Sequence, residues 1–231
     1  MAKPPYKMPN QQKSKVFPIA ISLVIIAMIA VVSITVISNK KPVGKSGKIE
    51  VSSTVSIVAS TVNSKTGPDK LEPVPKEGSA DTEIGKIVPT ITAKDFQDKD
   101  VTIAPGKKPY VLAFVAHWCI HCQREIPLFV RLNNENKIPK NIEVYAIATG
   151  TDTTRDNFPP SKWLSREEWP WTKVADDQAG TLVATMGSPG FPYVVYVNAD
   201  GTIQARTSGE QTEETIITNA QAISKSASSN G

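Results

Sequence analysis

Both cysteines and both histidines of the chain fall within His117-Trp118-Cys119-Ile120-His121-Cys122. Two thiols three residues apart are close enough to form a disulfide with each other and to exchange it with another molecule. In that chemistry one thiolate attacks, and the second resolves the mixed disulfide and releases the partner. Two other uses of the same atoms compete. A structural disulfide closing so short a loop would stabilise a fold by about 2 kcal/mol, a weak reason for placing both thiols together. A metal centre of His117, Cys119, His121 and Cys122, with Cu(I) the ion that suits two thiolates, would need four crowded side chains to converge. Structural metal sites usually draw their ligands from separated pairs.

The elements around the pair favour redox use. Tyr110 to Ala116 is a nearly all-apolar run that predicts a buried strand, and Ile120 to Asn134 reads as a helix with Ile126, Phe129 and Leu132 near one face. Cys119 then lies where a helix begins. Unsatisfied N–H groups and the positive end of the dipole favour a thiolate at such a place, so Cys119 is expected to attack and Cys122, one turn on, to resolve.

A second apolar strand is predicted over Ile142 to Thr149, after a possible hairpin at Ile87 to Ile103. Between Thr149 and Thr181 lies a mixed stretch with Trp163, Trp169 and Trp171, whose rings could pack in a core or line a groove. Thr181 to Met186 reads as a short helix. Tyr193 to Asn198 and Thr202 to Thr207 read as strands joined by an Ala199-Asp200-Gly201 turn. A final helix is predicted from Thr212 to Ser224, with Thr212 as N-cap and Glu213 and Glu214 in its first turn. This order gives a mixed α/β sandwich.

Of 15 aromatic residues, 13 lie in residues 84–231, which are therefore expected to hold the core. Residues 1–15 carry a charge of +4, residues 39–83 of +1 and residues 84–231 of −1. The basic excess is thus outside the globular part, which excludes a nucleic-acid-binding domain. Val16 to Asn39 has no charged residue over 24 positions, enough for a helix to cross a ~30 Å hydrocarbon core. A cleaved signal peptide is the alternative, but the apolar run exceeds the usual ~7–15 residues and no A-x-A-like site follows. Residues 40–83, with no aromatic residue, several prolines and a Ser/Thr-rich run, read as a flexible linker. The organisation expected is a basic cytoplasmic tail (1–15), a transmembrane anchor (16–39), a linker (40–83) and a domain (84–231).

Over roughly residues 84–227 the chain resembles the thioredoxin superfamily, and within it the membrane-anchored TlpA/ResA-like thiol–disulfide oxidoreductases. The resemblance is carried by Ala116-His117-Trp118-Cys119-Ile120-His121-Cys122-Gln123-Arg124-Glu125-Ile126-Pro127, and by Gly190-Phe191-Pro192 followed by Gly201. It implies a thioredoxin-like α/β fold, a central mixed sheet flanked by helices, with an N-terminal hairpin and one N-terminal transmembrane helix. It also implies a redox-active Cys119–Cys122 disulfide, Pro192 as a cis-proline facing the pair, and Phe191 and Tyr193 beside it binding substrate with Trp118. Glu125 corresponds to a glutamate that takes the proton from Cys122, or else is an exposed acid on the helix. Pro127 is expected to kink that helix.

The departures concern redox poise. Ala113 stands where thioredoxin has a buried Asp, and His121 stands where reductants of this branch usually carry Pro. A His before the second Cys resembles DsbA and protein disulfide isomerase. Near Cys119 it would stabilise the thiolate and make the disulfide more oxidising. The function expected is exchange with protein thiols and disulfides, without a cofactor, by a domain held outside the cytoplasmic membrane and served by a membrane electron-transfer partner. The alternative is a membrane-anchored copper-handling module using the same Cys/His cluster.

Overall fold

A computed structural model describes residues 48–227 except 77 and 107. The expected tail and anchor at 1–39 lie outside the described residues, among which no helix is long and apolar enough to cross a membrane.

An N-terminal arm carries β1 (Ser56–Val58) and a small ribbon of β2 (Thr61–Val62) and β3 (Lys65–Thr66). The hairpin of β4 (Thr90–Asp95) and β5 (Asp100–Ile103) follows, then β6 (Tyr110–Val115), α1 (Ile120–Asn134) and β7 (Glu143–Ala148). Next come α2 (Pro160–Arg166), β8 (Thr172–Ala175), α3 (Thr181–Thr185), β9 (Tyr193–Val197), β10 (Ile203–Ser208) and α4 (Glu213–Ser226). The main sheet runs β1-β4-β8-β7-β6-β9-β10, with β5 on the other edge of β4. β6, β7 and β8 are parallel neighbours, whereas β9 is antiparallel to both β6 and β10.

Every residue of β6 and β9 is buried, as apolar strands covered on both faces must be. Strand alternation divides them between two cores. Val111, Ala113, Val115, Val194 and Tyr196 join Ile126, Phe129, Ile216 and Ile223 of α1 and α4. Leu112, Phe114, Tyr193, Val195 and Val197 join Ile91, Ile103, Leu182 and Leu71 on the opposite face. The catalytic-type turn therefore leaves the centre of the sheet, where the strand beneath it is clamped from both sides. α4 is capped as expected, Thr212 Oγ1 accepting from Thr215 N at 3.1 Å. α1 continues through Pro127, which sits on its exposed side.

Two stretches differ from the sequence expectation. The region between β7 and α3 holds a helix and a strand, and Trp163 and Trp169 are core residues. The larger difference is the linker: residues 48–83 lie along the domain instead of hanging free. β1 extends the sheet at β4, and Leu71 is fully buried, a contribution of ~1.5–3 kcal/mol by itself. Leu71 N donates to Thr185 O at 2.9 Å and Val74 N to Gly187 O at 3.1 Å. Arg206 reaches across to Glu72 O and, bidentately, to Asp81. A segment with no core of its own is thus ordered by the core it covers, and the ordered unit begins well before residue 84.

Gly187 is required at one of these crossings. Its φ is +75°, and a Cβ there would stand 2.3 Å from Glu72 O. Gly187→Ala is expected to lose about 1–2 kcal/mol from the left-handed backbone alone, and more from lifting the arm. A lower Tm together with new protease cleavage within residues 48–83 would register both effects.

Candidate active site

β6 delivers the chain to a turn, Ala116 to Trp118, and Cys119 becomes the N-cap of α1. No side-chain hydrogen bond caps this end of the helix. Both cysteines are free thiols. Cys119 is 9% exposed and Cys122 fully buried, which assigns access to the first and shelter to the second. Cys119 Sγ donates to Phe191 O at 3.6 Å. Burial pushes the Cys122 thiol well above its ordinary range, and the neighbouring Cys119 and Glu125 add to the shift. A buried thiol of this kind needs a nearby base before it can act.

Glu125 is the carboxyl whose charge acts on Cys122. It lies three residues after Cys122 on the same face of α1, and it is 2% exposed. The surface-acid alternative is therefore overturned. Burial, with Glu210 adding and Gln211 opposing, lifts its carboxyl to about 7. Gln211 donates twice to Oε1, from Nε2 at 2.9 Å and from its backbone N at 3.3 Å. Oε2 is buried without a partner.

The Phe191–Pro192 bond is cis, as is Phe158–Pro159. Phe191 stacks edge-on against Trp118, with centroids 6.1 Å apart, and Trp118 Nε1 donates to Gly150 O at 2.7 Å. The Arg155 guanidinium lies over the Trp118 ring at 4.6 Å. Beside Phe191 opens a cleft of about 360 Å³ lined by Thr149, Gly150, Ser188 and Gly190. Trp118, Phe191 and Pro192 are thus grouped at Cys119.

Tyr193 is not. It is fully buried in the core on the α3 side, its hydroxyl donating to Met186 O at 2.7 Å. As the first residue of β9 it shares a face with Val195 and Val197, which removes it from the groove. The expectation that it binds substrate is corrected accordingly.

His121 also departs from expectation. Its side chain is about half exposed, and Nδ1 lies 3.1 Å from Glu210 Oε2 and 2.8 Å from Arg124 Nη2. Arg124 and His121 together hold the Glu210 carboxyl down at about 2. No hydrogen bond among the described residues joins His121 to Cys119. The reason for expecting an oxidising poise is therefore engaged elsewhere.

His117 is buried, with Nδ1 donating to Asp156 O at 2.7 Å and Nε2 accepting from Asp152 N at 3.2 Å. Both ring nitrogens are used in joining the cysteine turn to the loop before α2. The His/Cys string does not converge, and no group of three or more candidate metal ligands occurs among the described residues.

Sequence reasoning missed the loop Gly209-Glu210-Gln211. Gly209 N donates to Pro192 O at 2.8 Å, Glu210 binds Arg124 and His121, and Gln211 binds Glu125. Three consecutive residues so join the cis-proline loop to both sides of the first turns of α1. No local pattern marks them, since Gln211 is 86 residues from Glu125.

Fold and relatives together place the chain among the thioredoxin-like thiol–disulfide oxidoreductases. It belongs to the AhpC/TSA family, whose model matches residues 84–206. The thiol-disulfide oxidoreductase ResA of Bacillus thuringiensis subsp. konkukian is 31% identical over 136 residues, 58% of this chain and 75% of that protein. The thiol:disulfide interchange protein DsbE of Pseudomonas fluorescens biotype C is 29% identical over 128 residues, 54% of this chain and 67% of that one. A solved structure of a putative thiol:disulfide interchange protein DsbE from Chlorobium tepidum shares the fold, with a TM-score of 0.52 at 19% identity, covering 61% of this chain and 96% of that one.

Proposed function

We propose that this protein exchanges disulfides with protein substrates through Cys119 and Cys122, from a domain anchored by residues 16–39 outside the cytoplasmic membrane. The observation that carries the reading is the grading of the two thiols. Cys119, at the start of the helix beside Phe191, keeps 9% of its surface exposed, and Cys122 is fully buried one turn behind with Glu125 next to it.

The Cys119 thiolate attacks a client disulfide. A bond forms from its sulfur to one client sulfur, the client S–S bond breaks, and the other client sulfur leaves as thiolate. Cys122 then gives its proton to Glu125 Oε2 and attacks Cys119 Sγ. The Cys119–Cys122 disulfide forms as the bond to the client breaks. The client has gained two electrons and the protein has lost two, and run backwards the same steps oxidise a client. A membrane electron-transfer partner would restore the starting state. Trp118, Phe191 and Pro192 supply the surface on which an extended client segment lies.

The anchor reading is supported by the charge-free run at Val16 to Asn39, and the location by an inventory of cysteines limited to the redox pair. Protease added to spheroplasts is expected to release the domain, whereas complete protection would contradict this topology.

Glu125→Gln tests the proton acceptor in two ways. The resolving step is expected to slow by about 10²-fold and to lose its pH dependence between pH 6 and 8. Stability should respond with a definite sign. A carboxyl raised to about 7 in the fold keeps its proton where the unfolded chain has lost it, so stability falls as pH rises from about 4.5 through 7 and levels off above. The loss approaches about 3 kcal/mol. Urea unfolding at pH 5 and pH 8 should show this loss in the wild type and much less of it in E125Q.

A further inference from the structure

We infer that Gln211 is the positioning residue for Glu125, its amide oriented by Tyr196, and that it sets the pH range in which Cys122 can be deprotonated. The inference rests on the exchange function proposed above. Tyr196 Oη donates to Gln211 Oε1 at 2.9 Å. That bond consumes the amide oxygen and leaves Nε2 to face Glu125 Oε1. With the Gln211 backbone N–H on the same oxygen, both donors hold Oε1, and Oε2 is left buried and free to accept a proton. All three side chains are sheltered from bulk water, Gln211 at 7% exposure, Glu125 at 2% and Tyr196 at 0%.

The loop that carries Gln211 is fixed on either side. Gly209 N is bonded to Pro192 O, and Glu210 is held by Arg124 and His121. The titratable and charged groups around Glu125 are Cys122 on its own helix, Tyr196 on β9, and Glu210 in the loop with Arg124 and His121 bound to it. Burial and Glu210 oppose ionisation of Glu125, and among the described residues Gln211 alone donates to it. Donors to a carboxylate favour its charged form. Removing Nε2 should therefore raise the proton affinity of Glu125, and a protonated Glu125 cannot receive the Cys122 proton.

The test is the single-turnover reaction of the reduced full chain with oxidised glutathione, followed from pH 5 to 9 as release of the second glutathione. It is run for wild type, Gln211→Leu, Tyr196→Phe, E125Q and the Q211L/E125Q double variant. Q211L is expected to move the midpoint of the profile to higher pH by about one unit or more. Tyr196→Phe removes only the orienting hydroxyl and should move it the same way by less. The double variant should match E125Q, because Gln211 acts through Glu125. An infrared titration of the protonated Glu125 carbonyl should follow the same shift without reference to rate. A Q211L profile lowered at every pH with an unmoved midpoint, beside a flattened E125Q profile, overturns this inference alone. A wild-type chain that shows no exchange overturns both it and the function on which it rests.

Discussion

Replacing Cys119 by Ser is expected to reduce disulfide exchange to the rate of buffer alone, whereas replacing Cys122 by Ser should preserve the first attack and stop the reaction at a mixed disulfide. The two outcomes differ because the two thiols are exposed differently. Cys119 is the sulfur a client can reach, and the hydroxyl of Ser cannot form the sulfur–sulfur bond. Cys122 is fully buried, and its thiol is raised far above its ordinary range by burial. It contributes only after Cys119 has captured a client within bonding distance. Mass spectrometry of the alkylated, non-reduced product would separate the cases: a stable adduct on C122S and none on C119S. An adduct on C119S through Cys122 would reverse the assigned roles.

The largest effect on stability is expected at the pair that fastens the arm. The Arg206 side chain has no exposed surface, and it meets Asp81 through two hydrogen bonds of 2.8 and 2.5 Å. Asp81→Ala leaves that guanidinium buried with, among the described residues, only Glu72 O and Tyr193 Oη as acceptors. Removing one partner of a buried pair costs about 3–5 kcal/mol, which for a domain of this size lowers Tm by roughly 10 °C. The cost comes from the stranded charge. Adding Arg206→Met to Asp81→Ala should therefore recover part of the loss, because Met brings no charge to bury. Equal Tm values for the single and double variants would show that the packing of Asp81 matters and the pairing does not.

Much of this architecture can be read from local pattern. β6, α1, β7, the β9–β10 hairpin and α4 are long or strongly periodic, and the Trp118-Cys119 turn with Phe191-Pro192 names two loops that the sheet brings together. What escaped reading was decided by distant partners. Residues 48–83 have a composition that predicts a linker, and they are ordered by Thr185, Gly187 and Arg206, more than 100 residues away in sequence. α2 and β8 are short, and the tryptophans around them, which favour core packing over a groove, do not by themselves mark a helix or a strand. Nearness to Pro192 suggests a groove position for Tyr193, but strand alternation sends it to the core. Nearness to Cys119 suggests a tuning role for His121, but Glu210, which no motif marks, engages it. Glu125 stands between these cases: the motif identifies the residue, and only packing shows that it is buried beside two donors from Gln211.

The central claim, that Cys119 and Cys122 form a reversible redox couple, is tested most directly by equilibrating the full chain in glutathione buffers of graded potential and counting alkylated thiols. One reversible two-electron transition is predicted, in which both thiols disappear together, and it should be absent from C119S and from C122S. Thiols that stay unpaired at every potential, or that are lost one at a time to glutathione, would contradict the account.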